Sequence, residues 1–231
     1  MKMQRKHYTL EEIEKITTKN DGSFFARYLF RPISNRISLM IYRTNVDPEI
    51  IVLLGTLIGI LSGILFLFNV YWATLIAGIF VILSSILDCA DGEIARINGK
   101  ITKKGALLDE YTDRVTDMII FFCLGLVNYW TYNSYWIWII TFFAAAGNFI
   151  MVDLGLKISN LRDAKKVMNF YKKPLWRRAM QYGGDANVLL IFIFALLNKT
   201  IVALILIAII TNIYAVGRLI YQYLKFKQDE K

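Results

Sequence analysis

Histidine is almost missing from this chain: His7 is the only one in 231 residues, and it lies near the N-terminus. Histidine-based catalysis and a zinc site of the usual His/Cys kind are therefore not expected. Cysteine occurs twice, at Cys89 and Cys123, in or beside apolar stretches and without metal-ligand spacing. A disulfide framework is excluded, and both thiols read as small buried hydrophobes. There are only three prolines, with no low-complexity linker and no internal repeat. One domain with an N-terminal extension is the simplest reading. Met1 to His7 is basic but is followed by no apolar core, so it does not read as a signal peptide. What the chain has in abundance is apolar surface: it is 56% hydrophobic, with a mean hydropathy of +0.46. An ordinary soluble domain is not that apolar, and a membrane protein is.

Six apolar stretches run roughly Ile50–Val70, Ala73–Leu87, Leu107–Trp130, Trp136–Leu154, Ala186–Leu197 and Ile201–Tyr221. The second and fifth are short against the ~20 residues a helical span needs. Both can extend into polar residues that face protein rather than lipid. The basic residues alternate between the connections. Nine Lys/Arg precede Ile50, five follow the second stretch when counted through Arg114 in the first turns of the third, eight lie between the fourth and fifth, and four from Arg218 onward. The alternate connections hold none, none and one (Lys199). The positive-inside rule then puts both termini on the cytoplasmic side. Tyr71, Trp72, Tyr129, Trp130, Tyr132, Tyr135 and Trp136 form an expected aromatic belt at the other face. The net charge of +9 is accounted for by this topology and by anionic lipid, since no nucleic-acid recognition motif occurs. Residues 1–49 form a separate element and 50–231 the membrane domain. Thr9-Leu10-Glu11-Glu12 fits a capping box that opens a short helix. Phe24–Arg31 and Ile33–Ile41 mix bulky apolar and basic residues and read as amphipathic pieces in the cytoplasmic interface. Pro32 marks a helix start or a bend. Arg27, Arg31 and Arg36 either anchor this segment to the membrane surface or also help hold an anionic substrate.

The chemistry concentrates where the second apolar stretch ends and the third begins. The sequence there is Asp88-Cys89-Ala90-Asp91-Gly92-Glu93-Ile94-Ala95-Arg96, then eight residues, then Gly105-Ala106-Leu107-Leu108-Asp109-Glu110-Tyr111-Thr112-Asp113. Asp88 and Asp91 are three apart, and Asp109 and Asp113 four apart. On helices both spacings put the side chains on one face. Two helices meeting along these faces gather four carboxylates around one space. Such a space calls for divalent cations, and an all-oxygen donor set suits Mg²⁺ or Mn²⁺. Asp117 continues the four-residue spacing and reads as a supporting acid paired with a basic group rather than a ligand.

This stretch resembles the signature of the CDP-alcohol phosphotransferase family, D-x2-D-G-x2-A-R-x8-G-x3-D-x3-D. It matches at Asp88, Asp91, Gly92, Ala95, Arg96, Gly105, Asp109 and Asp113. The resemblance covers roughly Pro48 to the C-terminus. It implies an all-α integral membrane fold of six transmembrane helices with an N-terminal interfacial amphipathic helix, and a homodimer. It implies transfer of a phosphoalcohol group from a CDP-alcohol donor to an acceptor alcohol, with release of CMP. Asp88, Asp91, Asp109 and Asp113 would hold the metal, as two ions, and Asp113 would also act as general base. Gly92, Arg96, Thr102 and Gly105 would contact the nucleotide, although Thr102 reads equally well as a helix-capping hydroxyl. In one place the pattern is broken. Family members often open the first span with Pro-Asn-x-x-Thr or Pro-Asp-x-x-Thr, and here Pro48 is followed by Glu49, Ile50, Ile51 and Val52.

The acceptor is read from less. Asp113-Arg114 resembles the pairing in members that act on inositol phosphate. Asp21 to Ser34 looks like the opening segment of the di-myo-inositol phosphate phosphate synthase branch. Arg114 is thus the acceptor-binding candidate, with a phosphorylated polyol as acceptor; alternatively it pairs with Asp117 or Glu110 on its own helix. Glycerol phosphate or another lipid headgroup remains an alternative acceptor. The basic connection that includes Lys165, Lys166, Lys172, Lys173, Arg177 and Arg178 suits an anionic acceptor and also the topology rule. An ion-coupled transporter is the reading from another class, but its acids would sit near the midplane on repeated, broken helices. Ala144-Ala145-Ala146-Gly147 is a candidate dimer patch or an internal packing surface.

Overall fold

The computed structural model describes residues 9–17, 24–44, 46–161 and 183–229, and every regular element among them is helical. Two short helices come first, α1 (Leu10–Thr17) and α2 (Arg31–Ile41). Six longer ones follow: α3 (Pro48–Phe66), α4 (Tyr71–Ile97), α5 (Lys103–Tyr132), α6 (Trp136–Leu161), α7 (Gly184–Leu196) and α8 (Thr200–Asp229). Each of the six expected apolar stretches is one of these helices. Five of them are long and apolar enough to cross a membrane, so the chain is a multi-pass membrane protein by length and composition. The fifth stretch differs. It forms α7, a helix of 13 residues, about 20 Å long at 1.5 Å per residue.

Local signals explain the helix ends. At α1 the expected capping box is present in both directions: the Thr9 amide donates to Glu12 Oε2 at 2.9 Å, and the Glu12 amide to Thr9 Oγ1 at 3.3 Å. Pro32 and Pro48 lie in the first turns of α2 and α3, where proline's missing N–H costs nothing. Thr102 caps α5 by accepting the Gly105 amide at 2.9 Å. Three connections, α3 to α4, α5 to α6 and α7 to α8, each contain an asparagine in the left-handed region, Asn69, Asn133 and Asn198. Trp72, Trp130, Tyr132, Tyr135 and Trp136 stand exposed around these turns, as the aromatic belt requires, while Tyr129 is half-buried.

α4 has 27 residues and α5 has 30, about 40 and 45 Å, so both outrun a ~30 Å hydrocarbon core. Their surplus lies at the connection between them, and that surplus carries the aspartates. The helices close on one core of Phe66, Val81, Ile120, Phe121, Leu124, Ile191, Leu204 and Ile207. Small residues set the closest approaches. A Cβ on Gly59 of α3 would overlap Thr116 of α5 and come within 2.9 Å of Ser84 Oγ of α4. One on Gly147 of α6 would overlap Thr211 and press on Asn212 of α8. The Ala144–Gly147 patch therefore packs inside the protomer at Gly147, with Ala144 fully buried. Ser84 Oγ also donates to the Gly55 carbonyl at 2.8 Å, fastening α4 to α3 just inward of the aspartates.

α1 and α2 pack against α4. The buried face of α2 is polar: Ser34, Asn35 and Ser38 all point inward. Thr17 of α1 donates to Asn35 Oδ1 at 2.8 Å. Ile33, Arg36 and Met40 stay on the exposed side. The basic connection holding Lys165 to Arg178 lies outside the described residues.

Candidate active site

Asp88 and Asp91 near the end of α4 meet Asp109 in the second turn of α5. One carboxylate oxygen from each lies within 4.8 Å of the others. The 3- and 4-residue spacings deliver what they predict, two helix faces of carboxylates turned toward one another. Asp91 is 4% exposed, and its Oδ2 is shut off from solvent with no hydrogen-bond partner among the described residues. A buried carboxylate oxygen of this kind is costly unless something positive meets it. The donor set is all oxygen and no imidazole or thiolate joins it among the described residues, which fits a hard divalent cation. Asp113 stands outside this trio but lines the same narrow crevice, together with Gly55, Thr56, Ser84 and Thr116.

Two cavities flank the crevice. The larger, about 500 Å³, is lined by Asp91, Gly92, Arg96, Thr102, Gly105 and Asp109 and by Pro48, Glu49 and Lys100. The smaller, about 230 Å³, is lined by Asp88, Asp113, Arg114, Asp117, Asn148, Asp185 and Asn187. The four aspartates thus divide in pairs: Asp91 and Asp109 face the larger cavity, Asp88 and Asp113 the smaller, and all four border the crevice between. Each helix gives one carboxylate to each side.

All four residues expected at the nucleotide gather in the larger cavity. Gly92 has a local reason to be glycine, since a Cβ there would sit 3.3 Å from Arg96 Nη1, and the guanidinium folds back over this point. Thr102 is occupied as the α5 cap, the second of its two expected uses, and Gly105 supplies the capped amide. At the departure from the family pattern, Glu49 forms an ion pair with Lys104 at 3.0 Å, and Asp47 pairs with Lys100. These two bridges tie the start of α3 to the connection before α5. Being exposed, they are worth little as stability.

Arg114 lines the smaller cavity with its guanidinium carbon 6.0 Å from the Phe149 ring centroid. It makes no ion pair with Asp117 or Glu110 among the described residues. Asp117 has an amide as its hydrogen-bond partner, and the basic group expected beside it, Arg114, acts on it through its charge without an ion-pair contact. Asn148 of α6 donates to Asp117 Oδ2 at 2.8 Å, and Asn187 of α7 donates to Asn148 Oδ1 at 2.7 Å. This buried chain crosses three helices, and sequence reading missed it, as it missed Asp185. Asn187 lies at the polar margin of its apolar run and Asn148 stands alone inside its own, which is the only signal they leave. Glu93 was also missed. It is buried on the face of α4 turned to α2 and accepts from Ser34 at 2.6 Å and Ser38 at 2.7 Å.

An all-helical membrane bundle with a carboxylate crevice between two cavities defines the class of protein. Residues 46–216 match the sequence model of the CDP-alcohol phosphatidyltransferase family, and the chain belongs to that family. It is 30% identical over 219 residues to a bifunctional IPC transferase and DIPP synthase of Aquifex aeolicus, covering 89% of this chain and 47% of that protein. The chain thus spans about half the length of that relative. It is 25% identical over 186 residues to the archaetidylinositol phosphate synthase of Pyrococcus horikoshii, covering 79% of this chain and 87% of that protein. The fold is shared with the phosphatidylinositol phosphate synthase of Mycobacterium tuberculosis solved with CDP-DAG bound. That match has a TM-score of 0.62 at 18% identity, over 81% of this chain and 92% of the other. The same Mycobacterium enzyme has also been solved in complex with manganese and citrate.

Proposed function

We propose that this chain transfers a phosphoalcohol group from a CDP-alcohol to an acceptor alcohol and releases CMP, with inositol phosphate or another polyol phosphate as acceptor. The product is a phospholipid or an inositol phosphodiester. The observation that carries this reading is the division of the aspartates. A two-substrate transfer needs a donor site and an acceptor site that meet at one reacting centre, and two cavities meet here at a carboxylate crevice.

In this reading the larger cavity takes the CDP moiety. Arg96 offers a planar, bidentate donor to phosphate oxygens, and Gly92 and Gly105 leave the backbone open to close approach. Thr102 keeps its second lone pair free for a ligand donor while it caps α5. Asp88, Asp91 and Asp109, with Asp113 beside them, would hold Mg²⁺ or Mn²⁺, as two ions. Bound there, the metal supplies neutralisation of the diphosphate and stabilisation of the departing CMP phosphate. The smaller cavity takes the acceptor. Arg114 holds its phosphate, and the amides of Asn148 and Asn187 and the carboxylate of Asp185 suit its hydroxyls. The acceptor hydroxyl oxygen bonds to the phosphorus bearing the donor alcohol, and the bond from that phosphorus to the CMP oxygen breaks. Asp113 takes the hydroxyl proton, as a base that faces the acceptor side must.

The same reading covers the membrane arrangement. Helices α3 to α8 make six crossings, α7 with help from its flanks, and both termini and the site face the cytoplasm. Residues 1–49 form an interfacial element distinct from the membrane domain at 50–231, with α2 amphipathic at the lipid surface. Two chains associate as a homodimer. The test is CMP release by purified chain given CDP-diacylglycerol, CDP-archaeol or CDP-inositol, each against inositol phosphate, glycerol phosphate, serine and inositol. Metal-dependent release with inositol phosphate is expected. Release only with glycerol phosphate moves the acceptor assignment, and no release with any pair refutes the transferase reading.

A further inference from the structure

Glu93 lies inside the signature stretch yet turns away from the aspartates. It is two residues beyond Asp91, so the helical turn of 100° per residue sets the two carboxylates about 200° apart. Asp91 faces α5, and Glu93 faces α2. Its carboxylate is 1% exposed, and each oxygen accepts one serine hydroxyl, Oε1 from Ser34 at 2.6 Å and Oε2 from Ser38 at 2.7 Å. The two serines are four apart on α2 and form one face of it. Both are fully buried. Asn35 between them is held in turn by Thr17 of α1. The contact is a built socket, with a buried carboxyl group held by two short hydrogen bonds.

What the socket holds is a turn with little stiffness of its own. Gly92 directly precedes Glu93, and glycine is a poor helix former. α4 ends only four residues later, at Ile97. On its far side this turn presents Asp91 to Asp109 across a crevice where oxygens must stay within 4.8 Å of one another. We propose that Glu93 is a positioning residue: the α2 serines grip it, and through it the N-terminal element fixes the Asp91–Gly92 turn of α4 against α5. The N-terminal helices then belong to the active-site scaffold as well as to the membrane surface. The proposal rests on the transferase reading for its activity arm only.

The test compares the full chain, purified in mild detergent, as wild type, Glu93→Ala, Glu93→Gln and the double variant Ser34→Ala/Ser38→Ala. Glutamine keeps the shape and can bond both hydroxyls, accepting one and donating to the other. Three readouts are taken: Mn²⁺ binding by electron paramagnetic resonance, hydrogen exchange of the 88–97 amides, and CMP release. Expected are Mn²⁺ binding weakened about tenfold or more and faster exchange in 88–97 for Glu93→Ala and the double variant. Their kcat should fall about 10²-fold, the scale of a ~1 Å misplacement, with a smaller change in acceptor KM. Glu93→Gln should stay within about threefold of wild type on every readout. Exchange and Mn²⁺ binding unchanged in both Glu93→Ala and the double variant would overturn the proposal. So would a Glu93→Gln as damaged as Glu93→Ala, because the charge and not the socket would then matter. If no CDP-alcohol supports CMP release by wild type, the transferase reading fails, and exchange and Mn²⁺ binding still decide the positioning role.

Discussion

Without a cation, the aspartate cluster works against the fold, and Asp91→Asn should show this with a definite sign. Two unit charges 4.8 Å apart repel by roughly 3 kcal/mol at an effective dielectric of 20. Asp109 is half-buried and acts on Asp91 more strongly than Asp88 does. Asparagine removes the repulsion and can donate to the facing carboxylate, so about 2 kcal/mol of relief is a fair net figure after imperfect hydrogen bonding. For a chain of this size that corresponds to a rise of about 4–8 °C in Tm. In chelator, then, the variant should melt above wild type. Adding Mg²⁺ or Mn²⁺ at about a hundred times its Kd should stabilise wild type by roughly 2.7 kcal/mol and leave the variant nearly where it was. The order of the two melting curves should reverse. Tryptophan fluorescence during heating in detergent reads it directly, since the chain has five tryptophans. A wild type that melts with the variant in chelator and does not respond to either cation would refute the metal reading of the cluster.

Asp113→Asn should lower turnover by about 10²–10⁴, with CMP binding retained through Gly92 and Arg96; isothermal titration with CMP separates the two. Arg114→Ala should raise the acceptor KM more than it lowers kcat, and an unchanged acceptor KM would make Arg114 structural. Gly59→Ala pushes a methyl onto Thr116 and Ser84, where α3, α4 and α5 meet; overpacking should cost about 1–3 kcal/mol, read as a lower Tm. Cysteines at Lys103 and Tyr135, both exposed, should be labelled from opposite sides of the membrane in intact cells, Lys103 only from the cytoplasm.

The parts legible in the sequence are those decided within a few residues of one another. The Thr9–Glu12 box, the proline starts of α2 and α3 and the Thr102 cap depend on local hydrogen bonding, and each has a local signature. The aspartate faces are legible for the same reason, because helix periodicity fixes which residues share a face and the short connection sets α5 opposite α4 across the crevice, with α3 packed on both. Helix length was less legible. The apolar run of α4 stops at Leu87, yet the helix continues ten residues to Ile97, because polar residues that face protein or ligand leave the helical backbone undisturbed while lowering hydropathy. The Ser34–Glu93 and Asn187–Asn148–Asp117 bonds were not legible at all. They join residues 59, 39 and 31 apart in sequence, and only the docking of whole helices brings them together.

The order of the aspartates along the chain follows from the hairpin that carries them. α4 runs toward the connecting loop and α5 runs away from it. Asp91, the later residue of its pair, and Asp109, the earlier of its own, therefore lie nearer the loop. Asp88 and Asp113 lie deeper by three and four residues, about 4.5 and 6 Å along the helix axes. The outer pair faces the larger cavity, which the loop residues Lys100 and Thr102 help to line, and the inner pair faces the smaller one among α4, α5, α6 and α7. Unequal spacings on two antiparallel helices thus produce two stacked pairs of carboxylates. One spacing alone, on one helix, would give a ligand pair with a single side. With both, the chain separates a loop-side compartment from a deeper one, which on the proposed reading take the large, charged donor and the small polar acceptor. The carboxylate best placed to take the acceptor's proton then belongs to the inner pair, and Asp113 is its member outside the tight trio.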